Sequence, residues 1–274
     1  MVGMAVELRD FVPTLAIELA AAVIVVLVVA GIIYKYRRWT KVIPSKLFQD
    51  ASKHIGWGGM IGLFFSELGN RVALQRAVLT DSRVRWVTHF MMFWGFLGLA
   101  FATTWVFLFY REGAPRPLSD PGKIVGNIGG ALLIIGTTII LLRSLFTQKY
   151  QGGRRGDIAF LVMIYLSTIT GFTTELARMA GGDILAYANY TVHLIFVIGL
   201  LVTAPFTHFL HALLVPFLRY VGRIHDVLLS KGVSSGLDYR KLAMSELSEY
   251  VSYGNAPAVY PVWLRPGRKQ ESTP

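Results

Sequence analysis

Long apolar runs are the feature that most limits how this chain can fold. They lie at residues 14–34, 84–110, 124–142, 158–177 and 186–216, and the last is longer than a simple membrane crossing requires. About 20 apolar residues in an α-helix cross the roughly 30 Å hydrocarbon core of a bilayer. Lipid offers no partners for backbone N–H and C=O groups, so each run must satisfy them within its own helix. The sequence therefore predicts an all-α integral membrane bundle of five transmembrane helices.

The distribution of basic residues predicts how the bundle is oriented. If the N-terminus is outside, 22 of the 27 Lys and Arg residues fall on inner segments and 5 on outer ones. The positive-inside rule then places the N-terminus out and the C-terminus in. Orientation and contact with membrane lipid head groups explain the net charge of +11 better than nucleic-acid binding does. The expected location is the cytoplasmic membrane, which the chain crosses several times.

Two domains are expected. Residues 1–225 form the membrane domain, which includes an inner loop at 37–83 with the amphipathic or re-entrant piece HIGWGGMIGLFFSELGN. Residues 226–274 form a cytoplasmic tail that mixes charged and aromatic side chains. The tail is not apolar enough to cross a bilayer, so we predict that it docks a soluble partner.

The sequence excludes several kinds of chemistry. It has no Cys, so it cannot hold an iron–sulfur cluster through thiolates, attach a c-type haem or form a disulfide. It also lacks a Walker loop, a G-x-G-x-x-G turn and an H-E-x-x-H pair. Nucleotide-binding and metalloprotease functions therefore lack the residues they need.

Histidines in the apolar runs are the main candidates for a site. His193 and His211 are 18 residues apart, which in one helix corresponds to about five turns and a rise of about 27 Å on one face. His89 lies near the start of the second run, which crosses in the opposite direction to the last, so His89 and His211 are expected at a similar depth near the inner surface. Imidazoles placed in this way can bind a haem iron from both sides. Without Cys, the haem would be a non-covalent haem b.

His193 has no such partner on the second run, because residues 99–107 contain no His, Met, Cys or Lys. Three roles remain open for it. It can hold a haem as the single protein ligand, share a haem with a residue such as Met179, or only hydrogen-bond another helix, which is the ordinary role of a lone membrane histidine.

Three further histidines have competing roles. His208 lies three residues before His211 and about 60° around the helix from the His193 face. It is the alternative inner ligand, or it contacts a haem propionate or the inner surface. His54 and His225 lie in polar inner segments and are expected at the surface.

Several segments carry a resemblance. The stretch HLIFVIGLLVTAPFTHFLHALLVPFLRY resembles the last helix of the nitrate reductase gamma subunit. The stretch TDSRVRWVTHFMMFWGFLGL is similar to the membrane cytochrome b subunits of heterodisulfide reductase and of related complexes associated with sulfite reduction, and RRGDIAFLVMIYLSTITGFTTELAR also fits that group. The similarity covers about residues 55 to 225.

The resemblance implies a haem b membrane subunit that transfers electrons between the quinone pool and a cytoplasmic iron–sulfur subunit of the heterodisulfide-reductase-like or nitrate-reductase-like type. It implies that His89 and His211 are axial ligands of an inner haem and that His193 is a ligand of a second, outer haem. The chain departs from the nitrate reductase pattern at Leu99, where that pattern has a second histidine, and at His208, where it has an arginine. A haem-free membrane anchor or a transporter subunit is the alternative function. An anchor would not need the histidines, and a transporter would show broken helices and related halves.

Overall fold

The computed structural model describes residues 14–41, 43–80, 82–109, 117, 119–146, 155–181, 183–204 and 209–237. The described residues are 90% helical and form no strand. The helices are α1 (Thr14–Thr40), α2 (Ser45–His54), α3 (Gly56–Glu67), a π-helical segment (Leu68–Ala73), α4 (Arg76–Leu79), α5 (Arg83–Phe109), α6 (Pro121–Phe146), α7 (Arg155–Ala180), α8 (Asp183–Thr203) and α9 (Phe209–Ser230).

Four helices of the described chain are long and apolar enough to cross a membrane. Their apolar stretches are Arg83–Phe109, Pro121–Arg143, Ile158–Ala180 and Ile184–Thr203. The described part of α1 contributes a shorter apolar stretch, Glu18–Tyr34. The expected all-α fold is therefore confirmed for the described residues, with four helices that could cross a membrane, while the count of five crossings and the orientation stay predictions.

The last apolar run, 186–216, was predicted as one helix and is two. Helix α8 ends at Thr203 and α9 begins at Phe209. The sequence between them contains Pro205, a residue that has no backbone N–H and whose ring clashes with the carbonyl four residues earlier. The prediction that His193 and His211 share one face of a continuous helix is therefore wrong, because they lie on α8 and α9.

The described helices form two compact units. The first unit contains the described residues up to Ala30 together with Val87 to Ala204, and the second contains Gly31–Trp86 and the described residues from Phe209 onward. The divisions fall inside α1 and α5. The tail predicted to begin at residue 226 starts within α9, and its residues 238–274 lie outside the described residues.

Glycines bring α5 and α6 of the first unit into backbone contact. A Cβ built on Gly95 would lie 2.6 Å from the carbonyl oxygen of Gly129, and one built on Gly129 would lie 2.8 Å from the carbonyl oxygen of Gly95. Small residues allow such close approach between membrane helices, where packing rather than water drives association. Beside this contact, Leu133 of α6, Ile164 of α7 and Leu200 of α8 form a buried apolar cluster.

Threonine hydroxyls inside the first unit bond to their own helices. Thr137 donates to the carbonyl of Leu133 at 2.6 Å, and Thr168 donates to that of Ile164 at 2.8 Å. A hydroxyl that bonds to the carbonyl four residues earlier needs no partner on a neighbouring helix. These apolar helices therefore carry polar residues without leaving donors unsatisfied in lipid.

The second unit has its own core. Leu47 and Ala51 of α2 pack with Val221 and Ile224 of α9, and Met60 of α3 joins them. The side of α3 that holds Met60 is therefore covered by protein. Its opposite side carries the exposed apolar side chains of Trp57, Ile61 and Phe65.

Replacing Gly95 with Ala should destabilise the first unit by about 1–3 kcal/mol, because the new methyl group would meet backbone atoms that cannot rotate away. Thermal unfolding in detergent, followed by circular dichroism, measures the effect. Gly62→Ala is the matched control, since a Cβ at Gly62 meets nothing within 4 Å. Equal stability of the two variants would contradict the backbone contact.

Candidate functional site

His193 of α8 is held against α7 by its Nδ1 atom. Nδ1 lies 3.0 Å from the carbonyl oxygen of Ser167 and 3.3 Å from the hydroxyl oxygen of Thr170. The side chain is half-buried, and both partners belong to the first unit. The imidazole therefore has a fixed orientation within a helix pair.

The two partners determine which ring nitrogen carries the hydrogen. The carbonyl of Ser167 can only accept a hydrogen bond. The Thr170 hydroxyl donates its own hydrogen to the Leu166 carbonyl at 2.7 Å, so it too accepts from His193. Nδ1 is therefore protonated in the neutral ring, and the lone pair lies on Nε2. Histidines that ligate metals commonly have this arrangement, with one nitrogen donating to a carbonyl and the other facing the metal.

Gly171 forms the wall beside the His193 ring. A Cβ built on Gly171 would lie 3.2 Å from Cε1 and 3.5 Å from Nδ1 of His193. The distance to Cε1 is tighter than nine in ten contacts of real Cβ atoms, whereas the distance to Nδ1 is an ordinary van der Waals contact. Any larger residue at this position would have to push the ring away from α7.

The residues that receive His193 were not predicted from the sequence. Ser167, Thr170 and Gly171 have the spacing i, i+3 and i+4, which places them on one face of α7. Small and hydroxyl-bearing residues in this pattern are typical of the interface between membrane helices. The pattern could have indicated the contact face of α7, although not which histidine it receives.

Met179, which was suggested as a second ligand for His193, is not close to it. Met179 lies eight residues beyond Gly171 on α7, which corresponds to about 12 Å of helical rise, and its side chain is exposed. Leu99 packs against the apolar cluster of Leu133, Ile164 and Leu200. The structure thus brings neither residue to the imidazole.

An ion pair lies on α7 one turn beyond Gly171. The carboxylate of Glu175 is 2.9 Å from Nζ of Lys123 on α6, and both side chains are largely buried. This ion pair joins α6 to α7. Asp120 supports the same end of α6 by accepting from the backbone N–H of Lys123 at 2.9 Å and from Nε1 of Trp105 at 3.1 Å.

The inner candidates are less completely described. His89 lies on α5 in the first unit, with an exposed side chain. His211 lies on α9 in the second unit, and its side chain is outside the described residues, as is the whole of His208. Within the described residues there is no group of three or more His, Cys, Asp or Glu that could hold a metal ion. A haem iron takes only one or two axial ligands from the protein and needs no such group.

The two histidines expected at the surface differ. His54 is exposed, as predicted, and its backbone carbonyl accepts a hydrogen bond from Lys231. His225 is buried, and its Nδ1 shares a hydrogen bond with the hydroxyl of Ser235. The surface prediction for His225 is wrong because residues after α9 fold back over that helix. Burial lowers the pKa of the His225 imidazole, and the neighbouring Asp226 carboxylate opposes this change.

No protein-family model, curated protein or solved structure matches this chain. Function is therefore inferred from the side chains that the helices bring together.

The second unit should lose stability in acid because of His225. Its pKa is lowered in the folded state, so its contribution is fully present above the unfolded value of about 6.5 and is lost as pH falls through the folded value. The loss should reach at most about 1.4 kcal/mol per pH unit for one proton. Amide hydrogen exchange of α9, corrected for intrinsic rates, measures it. The neutral variant His225→Gln should flatten the profile, and an unchanged profile would exclude His225 as the cause.

Proposed function

We propose that this chain is a haem b membrane subunit of a respiratory-type redox complex. It transfers electrons between the quinone pool and a cytoplasmic iron–sulfur subunit. The observation that carries the proposal is His193, whose Nδ1 is bound to the Ser167 carbonyl while the Nε2 lone pair is left for a ligand bond. A bound haem would supply one-electron transfer at its iron.

His193 is the proposed ligand of the outer haem. The residues present suit this role, since α7 fixes both the orientation and the tautomer of the ring. The hydrogen bond with Thr170 and the close packing against Gly171 restrict rotation of the imidazole. Leu99 cannot act as a second ligand, so the outer haem would be five-coordinate, or six-coordinate with a ligand from another helix.

His89 and His211 are the proposed axial ligands of the inner haem, with His208 as the alternative to His211. This part of the proposal is supported by their place in segments that resemble membrane cytochrome b subunits. It is also supported by the basic residues after α1 and before α5, which favour an inward-facing location for both histidines. The full proposed topology has five crossings, with the N-terminus out and the C-terminus in.

The proposed partner is a cytoplasmic subunit of the heterodisulfide-reductase-like or nitrate-reductase-like type. Because this chain has no Cys, iron–sulfur clusters that exchange electrons with it must be held by another protein. Residues 226–274 are the proposed docking segment. The quinone is the membrane substrate, and the Glu175 carboxylate is the proposed group for its protons, since it lies within the membrane-spanning stretch of α7.

The decisive measurement is a reduced-minus-oxidised optical spectrum with pyridine haemochrome quantitation of the purified chain. We expect haem b, with His193→Ala removing one spectroscopically separate haem and slowing quinone-linked turnover while the inner haem persists. His54→Ala is the control, because His54 is exposed and outside the apolar helices. A colourless wild-type protein would instead favour the haem-free membrane anchor.

Gly171→Ala should perturb the outer haem without removing it. The added methyl group pushes the His193 ring and weakens its hydrogen bond to Ser167, which makes the imidazole a poorer electron donor and raises the midpoint potential of the bound haem. Redox titration measures the potential. Gly199→Ala is the matched control in α8, since its new methyl group meets only the flexible end of Met163. Equal potentials in the two variants would argue against His193 ligation.

Replacing His89 or His211 with Ala should remove the low-spin signal of the inner haem, because each variant loses one axial ligand. Membrane insertion should be unchanged, since the apolar stretches are intact. Low-temperature electron paramagnetic resonance of membranes measures the signal. A low-spin signal that survives in His211→Ala and disappears in His208→Ala would transfer the assignment to His208.

A further inference from the structure

Helix α3 has one buried side and one exposed apolar side. Met60 is 4% exposed and packs with Leu63 in the core of the second unit. On the other side, Trp57, Ile61 and Phe65 are 72%, 55% and 63% exposed. These three residues, here called the α3 stripe, recur every four positions and so lie along one side of the helix. A row of large apolar side chains open to the surroundings marks an interaction surface.

Helix α2 provides a comparison within the same unit. It packs into the same core through Leu47 and Ala51, but its exposed side carries Lys46, Gln49 and Lys53. Two successive helices that share one core therefore present opposite surfaces, a polar one on α2 and an apolar one on α3. Water solvates the first surface well, whereas removal of the second from water is favourable.

Gly56 separates the polar helix from the apolar one. It follows the last turn of α2 with a φ of 77°, the left-handed conformation in which glycine commonly ends a helix. The polar and apolar surfaces therefore belong to two separate helices. Residues 55–66 contain no charged side chain, so the apolar character extends along the whole exposed side of α3.

The end of α3 is tied to the start of a helix that can cross a membrane. The π-helical segment Leu68–Ala73 follows α3 directly, and the carbonyl of Leu74 accepts a hydrogen bond of 2.8 Å from Nε1 of Trp86. Trp86 lies in the first turn of α5, which is long and apolar enough to span a bilayer. Tryptophan near the end of such a helix is typical of the membrane–water interface. The α3 stripe thus ends close to the place where α5 would enter the bilayer.

We propose that α3 lies in the plane of the bilayer interface, with the α3 stripe among the lipid acyl chains. Helices of this kind are held by their buried apolar area and by cations near anionic head groups. Lys53 precedes the α3 stripe and Arg71 follows it, and both are exposed. Charged groups therefore flank the apolar surface at both ends, as head groups would require. In this position α3 anchors the second unit to the membrane.

The charged residues at both ends distinguish this arrangement from a re-entrant segment. A re-entrant helix would carry one end deep into the bilayer. The residues beside the two ends of α3 include Lys53 on one side and Glu67 and Arg71 on the other. Charged side chains are costly in the centre of a bilayer, so both ends of α3 are expected at the interface.

A soluble protein partner is a poorer match to the α3 stripe. Interfaces of transient complexes are about as polar as ordinary protein surfaces, whereas the α3 stripe has no charged residue. Lipid also accounts for the hydrogen bond between Leu74 and Trp86, which holds the end of α3 beside a membrane-crossing helix.

The test uses the full-length chain in nanodiscs of phosphatidylcholine mixed with phosphatidylglycerol. Because the chain has no Cys, a single-cysteine variant can carry a nitroxide label at one defined position. Trp57→Cys, Ile61→Cys and Phe65→Cys place the label on the α3 stripe. Gln49→Cys and Lys53→Cys are matched controls on the exposed side of α2. All five side chains are exposed, so the label does not enter the core.

Power saturation in electron paramagnetic resonance compares the access of each label to oxygen, which concentrates among acyl chains, and to a water-soluble nickel complex. We expect the labels of the α3 stripe to favour oxygen and to lie at similar depths, about 5–10 Å into the boundary between head groups and acyl chains. The labels on α2 should favour the nickel complex. Equal nickel access on the two helices would mean that the α3 stripe faces water, which would overturn the proposal.

Two other results would also overturn it. Labels on the α3 stripe that are shielded from both reagents would mean that protein covers it, and truncation after Leu237 would then show whether the cover is residues 238–274 or another molecule. Depths that increase steadily from Trp57 to Phe65 would indicate a re-entrant segment. None of these measurements depends on haem, so the proposal stands or fails separately from the proposed electron transfer.

Discussion

The backbone contact between Gly95 and Gly129 is the constraint from which the first unit is built. It brings α5 against α6 at a distance that no side chain permits, and the apolar cluster of Leu133, Ile164 and Leu200 then joins α6 to α7 and α8. His193 lies between α7 and α8. The two glycines lie on α5 and α6, whereas the His193 site is formed by α7 and α8.

The apolar helices could be predicted from the sequence, because an apolar run long enough to cross a bilayer must satisfy its backbone groups within a helix. The stretches Pro121–Arg143 and Ile184–Thr203 are examples. His193 could be recognised as a candidate because an imidazole is rare within such a stretch. Its acceptor could not, since the Ser167 oxygen is a backbone atom and every residue has one. The burial of His225 also escaped prediction, because it depends on a chain reversal after α9 that no local pattern of residues encodes.

The break between α8 and α9 changes how the histidines should be compared. A spacing of 18 residues has a geometric meaning only within one helix. Here α8 ends at Thr203 and α9 begins at Phe209. His193 and His211 must therefore be assessed separately, each by its own surroundings. His193 has a described acceptor and a fixed tautomer, so it carries the proposed function, whereas the inner ligands rest on sequence similarity.

The ion pair between Lys123 and Glu175 has a consequence for how this protein responds to an energised membrane. As a pair it is neutral, so the transmembrane voltage exerts almost no net force on it. Protonation of Glu175 would leave the Lys123 ammonium as an unbalanced charge, and moving one elementary charge across the whole membrane potential is worth about 2.3 kcal/mol per 100 mV. A proton arriving at this carboxylate would therefore make a voltage-insensitive part of the bundle sensitive to the membrane potential.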